Sequence, residues 1–341
     1  MGRSVKCTFL TEGLRWRQLG GDSCKALNGF SGDISYLGGS VSVLLERNAL
    51  AGWLVPPNTS GESQIRAFAA HPGFPDAARR LARNLLELAA RNQAFDGIAK
   101  DAGRFSVSFA AFYLDATGGI TVPRLKELCR VVGVASPGRA RAILFYLLFL
   151  GFAAPAGKLG RVSRYVATER LREVWKSFLQ ARLDAASLIE PAAQSVAAKL
   201  DDPSYLNAFV RVQGSGISYL GSQLDRRSPF QDAFQTCILD RNAGMQFLHY
   251  LTLRQPDEKA YPPGGAITIS LRDAARQLRV SRQHLMRVLH DAEAAGLLVR
   301  GDGGTVQLSS SMRAETSYQV AIALTLELFV AARLEAERNI P

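Results

Sequence analysis

The chain carries one unit of organisation twice. The segments ITVPRLKELCRVVGVASPGRARAILFYLLFLGFAAPAGKLGRVSRYVAT (120–168) and ITISLRDAARQLRVSRQHLMRVLHDAEAAGLLVRGDGGTVQL (267–308) pass through the same succession of events. Each opens on a β-like triplet, Ile-Thr-Val or Ile-Thr-Ile, then continues with a short amphipathic stretch, a tight turn and a serine. A longer helical pattern follows, ends in Gly-Phe or Gly-Leu, and gives way to a glycine-bearing hairpin with β-branched flanks. The opening isoleucines are 147 residues apart (267 − 120) and the closing glycines 145 apart (296 − 151), so two small gaps reconcile the copies. An apolar helix precedes each, SFAAFYLDA (108–116) and MQFLHYLTL (245–253). A repeated helix, strand, helix, turn, helix, hairpin unit demands two like lobes, mainly α with small β-hairpins.

The periodicities inside the copies agree with that division. Leu271, Ala274, Ala275 and Leu278 recur at helical spacing with Val280 closing the turn, and Leu125, Leu128, Cys129, Val132 and Val134 match them in the first copy. Two helices crossing at a short turn need a small residue at the contact, which Ala275 and Cys129 supply; a buried free cysteine behaves as a small hydrophobe. Gly133 suits a left-handed turn residue. The second copy has Arg279 there, at a cost of about 1 kcal/mol if the backbone is left-handed. Ser136 and Ser281 are expected N-caps, and Pro137 sits in a first turn where a proline costs nothing.

Composition bounds what such lobes do. The 341 residues are 47% hydrophobic with a formal net charge of +11, values of a globular chain with several cores and an anionic partner, nucleic acid or an acidic membrane surface. The four cysteines (7, 24, 129 and 237) have no zinc-ligand spacing and no signal peptide precedes them, which fits a reducing, cytoplasmic setting. Cys237 reads as a buried thiol, with an oxidant sensor as the alternative. AILFYLLFLGFAAPA (142–156) falls short of the roughly 20 residues a membrane helix needs, and reads as core.

On a wheel of VSRQHLMRVLHDAEAAGLLV (280–299), Leu285, Val288, Leu289, Ala292 and Gly296 share one face, while Gln283, Arg287, His290 and Ala294 fall opposite, flanked by His284 and Met286. Arg282 lies in the first turn. A polar face of this kind is either solvated or, given the small helix and serine cap before it and the VRGDGGTVQL hairpin after it, set into a DNA major groove. Arginine and glutamine reach guanine and adenine edges with two hydrogen bonds each. His284 and His290 are six apart on different faces, against a metal site, for which helical histidines usually sit four apart.

These residues resemble the recognition helix of the winged helix-turn-helix superfamily. VSRQHLMRVL is similar to that of cyclic-AMP-receptor-type activators, a likeness that implies base reading at Arg282, Gln283 and Arg287. Residues 1–110 show no run of strands, so the cyclic-nucleotide ligand of that family is not expected. The whole unit, with long helices around it, resembles MarR-type regulators, which are dimers with one winged domain per chain. Two such units over roughly residues 65–340 imply a fused pseudo-dimer: a monomer with an internal pseudo-two-fold. The resemblance also implies a small-molecule effector, in a pocket bordered by the helices of 164–227.

The copies differ where it matters most. Aligned with Gln283, Arg287, His290 and Ala294 are Gly138, Ala142, Phe145 and Phe149. The cations of the first copy are Arg139 and Arg141 in the first turns and Lys158, Arg161 and Arg164 in the hairpin. Two readings stand: these cations grip phosphates while the second copy reads bases, or Phe145 and Phe149 are covered by another helix and the first copy is structural.

The expected organisation is a poorly ordered or loosely packed extension (1–60), N-terminal helices (61–104), a first winged domain (105–170), connecting helices (171–227), a second winged domain (228–312) and a C-terminal packing helix (313–341). Within it, 164–200 reads as a long helix broken at Pro191, 201–227 as helical pieces interrupted at Gly214–Gly216, and 315–338 as a long amphipathic helix. The expected function is a sequence-specific transcription regulator of double-stranded DNA, cytoplasmic and nucleoid-associated, with an asymmetric or loosely palindromic site. Its expected DNA contacts are Ser281, Arg282, Gln283, His284, Arg287, His290 and Arg300, with Ser136, Arg139, Arg141, Lys158, Arg161 and Arg164 in the first copy. The alternative is a plasmid-type replication initiator or chromosome-organising protein, which also carries tandem winged domains. No Gly-rich phosphate loop, metal cluster or Ser/His/Asp arrangement is visible, so no enzyme, cofactor, metal or membrane is expected.

Overall fold

Residue-by-residue description by a computed structural model covers 61–338 except 133, 224–230 and 258–260. The extension expected over 1–60 and the turn residue Gly133 therefore lie outside the described residues. Two helices lead in, α1 (Gly61–Ala69) and α2 (Phe74–Arg91), separated by the short turn Ala70–Gly73. The short α3 (Gln93–Ile98) is capped by the Asn92 side chain, which accepts from the Phe95 amide at 2.9 Å.

The first copy then unfolds as α4 (Ala102–Ala116), β1 (Ile120–Thr121), α5 (Val122–Val132), α6 (Pro137–Phe149), β2 (Ala153–Leu159) and β3 (Val162–Ala167). Helices α7 (Glu169–Ala186), α8 (Ala193–Lys199) and α9 (Pro203–Gln223) connect the copies, and α10 (Gln231–Phe234) runs into a π-helical turn at Gln235–Leu239. The second copy is α11 (Gly244–Arg254), β4 (Ile267–Thr268), α12 (Leu271–Gln277), α13 (Arg282–Ala294), β5 (Leu298–Gly301) and β6 (Thr305–Leu308). A last helix, α14 (Ser310–Arg338), ends the described chain.

The protein is thus mainly helical with two small antiparallel three-stranded sheets, and both sheets have the same order: first strand, third, second. Ile120 pairs with Tyr165 and Ile267 with Val306, so the opening isoleucine of each copy docks on the returning arm of its own hairpin. Helices α6 and α13 begin 145 residues apart (282 − 137) and end 145 apart (294 − 149). Gly151 and Gly296, at the same offset, take φ of 70° and 69°, the left-handed conformation that ends each helix without a Cβ penalty. Ser136 and Ser281 accept from the amides of Arg139 and His284 at 3.3 and 3.0 Å, as the caps were expected to do.

Two hydrophobic cores form. One runs from Ile65 to Val210 and takes in Tyr318–Leu334 of α14; the other gathers Phe234–Met312 and Leu86. Cys129 and Ala275 are both buried at the crossings where a small residue was expected.

Two helical expectations change. The expected break at Gly214–Gly216 is absent: α9 runs through it. Gly214 lies where α9 crosses α4, and a Cβ there would run into the Tyr113 ring, so its small size serves a close helix approach rather than a turn. Helix α14 is not amphipathic over most of its length. Val320–Ala332 is buried on all sides against α1, α7 and α9, the pattern of a helix at the centre of a bundle. Two of its buried polar residues are satisfied inside: Glu327 pairs with Arg182 and accepts from Gln213 Nε2 at 3.0 Å, and Thr325 donates to Ala321 O at 2.7 Å.

Candidate nucleic-acid interface

Helix α13 is held from behind and bare in front. Leu285, Val288, Leu289 and Ala292 are buried, as their spacing predicts, while Ser281, Arg282, Gln283, Met286, Arg287 and His290 are exposed. Among the described residues, the side chains of Arg282, Gln283 and Arg287 make no hydrogen bond and no ion pair. His290 is exposed too, its Nδ1 3.7 Å from an Asp291 oxygen. Met286 stands in the same stripe, three residues after Gln283 and four before His290; sequence reading placed it only on the flank.

The two remaining contacts expected in this copy are engaged inside the molecule. His284 is half-buried, its Nε2 2.8 Å from the Asn242 carbonyl oxygen, which ties the first turn of α13 to the start of α11. Arg300, on β5, donates from Nε to Glu293 at 2.7 Å and its amide bonds the same carboxylate at 3.0 Å. Those bonds hold the Glu293 carboxyl below the usual carboxylate range, so Arg300 spends its charge on the end of α13.

In the first copy the cations are distributed differently. Arg139 donates to Asp101 at 2.8 Å, binding the start of α6 to the start of α4, where Asp101 also caps the Arg104 amide. Arg164 folds over the backbone of Gly119, its Nε buried. Arg141 lies over the Phe145 ring, 5.4 Å from its centroid, on the exposed side of α6. Lys158 and Arg161 stand exposed around the hairpin tip, and Ser136 is exposed as the cap. Phe145 and Phe149 are not covered within the described chain: they are 46% and 84% exposed. The reading in which another helix seals this face is therefore not what the described residues form.

No family model matches the chain, and no curated protein or solved structure matches it. The candidate site stands on its own geometry.

A buried polar node joins the second copy to the helices before the first. Lys100 Nζ pairs with Asp96 at 2.9 Å and donates to Gln246 Oε1 at 3.1 Å and to the Leu278 carbonyl at 2.6 Å, while Gln246 Nε2 returns a bond to Asp96 at 3.0 Å. Burial pushes the Lys100 amine below its ordinary range, with the Asp96 carboxylate pulling the other way. Sequence reasoning missed this node, because Gln246 and Leu278 lie 146 and 178 residues from Lys100 and only the fold brings them to it. Among the described residues no group of His, Cys, Asp or Glu is arranged to hold a metal ion, and no helix is long and apolar enough to cross a membrane. Cys237 is buried, with its Sγ 3.7 Å from Asp291 O, and burial pushes its thiol pKa up, with the Asp291 charge acting in the same direction.

Proposed function

We propose that the chain is a sequence-specific double-stranded-DNA-binding regulator, built as tandem winged helix-turn-helix domains in one polypeptide. The observation that carries this reading is the front of α13. It follows a tight turn, is backed by its own core and flanked by a β-hairpin, and presents Arg282, Gln283, Met286, Arg287 and His290, with no side-chain bond to Arg282, Gln283 or Arg287 among the described residues. On a solvated surface helix a cation gains about 0.2–0.5 kcal/mol from an acid three or four residues away. Here the acids nearby are already taken, Asp291 by Arg241 and Glu293 by Arg300. Gln283 and Arg287 on one face of the helix and Arg282 in its first turn, none with a side-chain partner among the described residues, suit base edges, and an exposed methionine suits a thymine methyl.

In this reading the two copies divide the work. Copy two specifies sequence, and Lys158, Arg161 and Arg141 of copy one contact phosphates, while His284, Arg300, Arg139 and Arg164 position the elements instead of touching DNA. Replacing Arg287 by Ala is expected to cost about 1–3 kcal/mol at one or two base pairs and to relax preference there. Replacing Lys158 or Arg161 is expected to weaken binding to all sequences alike and to reduce the salt dependence by about one phosphate contact. Fluorescence-anisotropy titrations on sequence-variant duplexes distinguish these outcomes. An Arg287→Ala protein that binds with unchanged sequence preference contradicts the proposal.

A further inference from the structure

The front of α6 carries rings where the front of α13 carries hydrogen-bonding side chains. Of the seven large hydrophobic side chains exposed among the described residues, four lie on α6 and the hairpin that follows it: Phe145, Phe149, Leu159 and Val162. Single exposed hydrophobics are ordinary, whereas a group of them marks a surface with a partner. The rings are also held in place. The Arg141 guanidinium lies over Phe145, the Tyr146 ring runs nearly parallel to that of Phe149 with 6.5 Å between centroids, and Arg104 sits over Tyr146 at 6.0 Å. Phe145 and Phe149 are four residues apart, so they share one side of α6 about 6 Å apart along its axis.

The charge around these rings has one sign. Residues 137–167 contain Arg139, Arg141, Lys158, Arg161 and Arg164 and no Asp or Glu. Arg139 is taken by Asp101 and Arg164 folds over Gly119, which leaves Arg141, Lys158 and Arg161 with no ion pair among the described residues. Such a surface complements a polyanion that brings flat apolar groups with it. The four front positions, Gly138, Ala142, Phe145 and Phe149, have no side-chain group that hydrogen-bonds a base edge, so this helix has nothing with which to read an intact duplex through its groove. What a phenyl ring recognises is the face of a base. Faces are hidden in the duplex stack and open in an unpaired strand, where stacking on aromatic side chains is tolerant of sequence.

We propose that the front of α6 and the β2–β3 hairpin bind single-stranded DNA, with unpaired bases stacked on Phe145 and Phe149 and the phosphates held by Arg141, Lys158 and Arg161. DNA fits this face better than RNA, because the four front positions offer nothing to a ribose 2′-hydroxyl, the group by which proteins tell RNA from DNA. A second copy of the chain is disfavoured as the occupant, since the face would meet its own cations. The three cations keep their phosphate role on either form of DNA; the addition is the capture of unpaired bases. This goes beyond the duplex reading of the second copy and does not rest on it, for every residue involved lies in the first copy.

Fluorescence anisotropy of the full chain tests this with three labelled strands: an oligothymidylate of about 12 nucleotides, an abasic strand of the same length and charge, and an RNA of the same length. The oligothymidylate is expected to bind at least about tenfold tighter than the abasic strand, which has the phosphates but no base to stack, and tighter than the RNA. Phe149→Ala removes an exposed ring and is expected to keep the parent's unfolding midpoint. It is expected to lower affinity for the oligothymidylate about five- to hundredfold and for the abasic strand not at all, and Phe149→Trp to preserve or raise the former. Lys158→Ala is expected to weaken both strands alike and to reduce the slope of log affinity against log salt by about 0.7. Arg287→Ala is expected to leave strand binding unchanged, so failure of the duplex reading and failure of this one are read separately. No strand binding, equal affinity for the abasic strand, tighter binding of the RNA, or an unaffected Phe149→Ala protein overturns the proposal. So does binding to anionic phospholipid vesicles, or a dimer in sedimentation, that Phe149→Ala abolishes, because the face then belongs to a lipid surface or to a second copy.

Discussion

Arg279 shows how much of this molecule is settled by single residues acting over long sequence distances. It occupies the turn between α12 and α13 with φ of 49°, a conformation costing a non-glycine residue about 1 kcal/mol or more. Its guanidinium explains why an arginine is kept there. Nη1 donates to the Ala89 carbonyl at 3.1 Å and Nη2 to Ala90 at 2.7 Å, satisfying the end of α2, where the helix dipole favours a cation. The sequence exposed the strain, since the aligned residue is glycine, but not the compensation, whose partners lie 190 and 189 residues away. His249 carries the clearest prediction at this scale. Its folded pKa is about 4, against 6.5 when exposed, because burial and then the Arg182 charge disfavour the imidazolium. Between those values the unfolded chain takes up a proton that the folded chain refuses. The stability is therefore complete above about pH 6.5 and falls as pH drops toward 4, by about 3 kcal/mol. Urea denaturation across that range is expected to show the decline, and His249→Gln to lose most of it; an unchanged slope in the variant refutes the assignment.

At the scale of elements, helix identity was legible from spacing, but the environment of each helix was not. The caps of α6 and α13, their common length and the glycines that end them follow from local rules, and the structure repeats them at one offset. Gly214 reads in sequence as a break because glycine and serine flank it, and nothing local announces that Tyr113 crosses there. Helix α14 reads as amphipathic for a similar reason: buried glutamates and glutamines look like a solvent face until Arg182 and Gln213 are placed beside Glu327. A pair of glycine substitutions separates the two kinds of glycine. Gly214→Ala forces a methyl against the Tyr113 ring and is expected to destabilise by about 1–3 kcal/mol. Gly138→Ala, in the first turn of α6 with nothing within 4 Å of the added methyl, is expected to be neutral or to stabilise by up to about 1 kcal/mol. Denaturant midpoints measure both. A Gly214→Ala protein as stable as the parent contradicts the close crossing.

Across the whole molecule the duplication holds at the level of topology while the two faces diverge. The sheets share one strand order, and α6 and α13 share length and caps, yet one helix presents Phe145, Phe149 and a stacked Arg141 where the other presents Gln283, Arg287 and His290. The sequence made that divergence visible by alignment of the copies. It could not reveal that Arg139, Arg164, His284 and Arg300 are drawn into internal contacts, since their partners Asp101, Gly119, Asn242 and Glu293 lie on other elements or loops. The surface proposed for DNA is consequently narrower than composition suggests, and the proposed base-reading side chains all lie on one lobe. The core division agrees: the second copy has its own core, whereas the first is continuous with α7, α9 and α14.

In-vitro selection of binding sites from random duplexes, with the parent chain and the Arg287→Ala variant in parallel, tests that asymmetry most directly. The account predicts one strongly specified half-site, flanked about one helical turn (~34 Å) away by a weakly specified or sequence-neutral half, and loss of information at defined positions of the strong half in the variant. A symmetric palindrome, the same motif from both proteins, or no enriched sequence at all would contradict it.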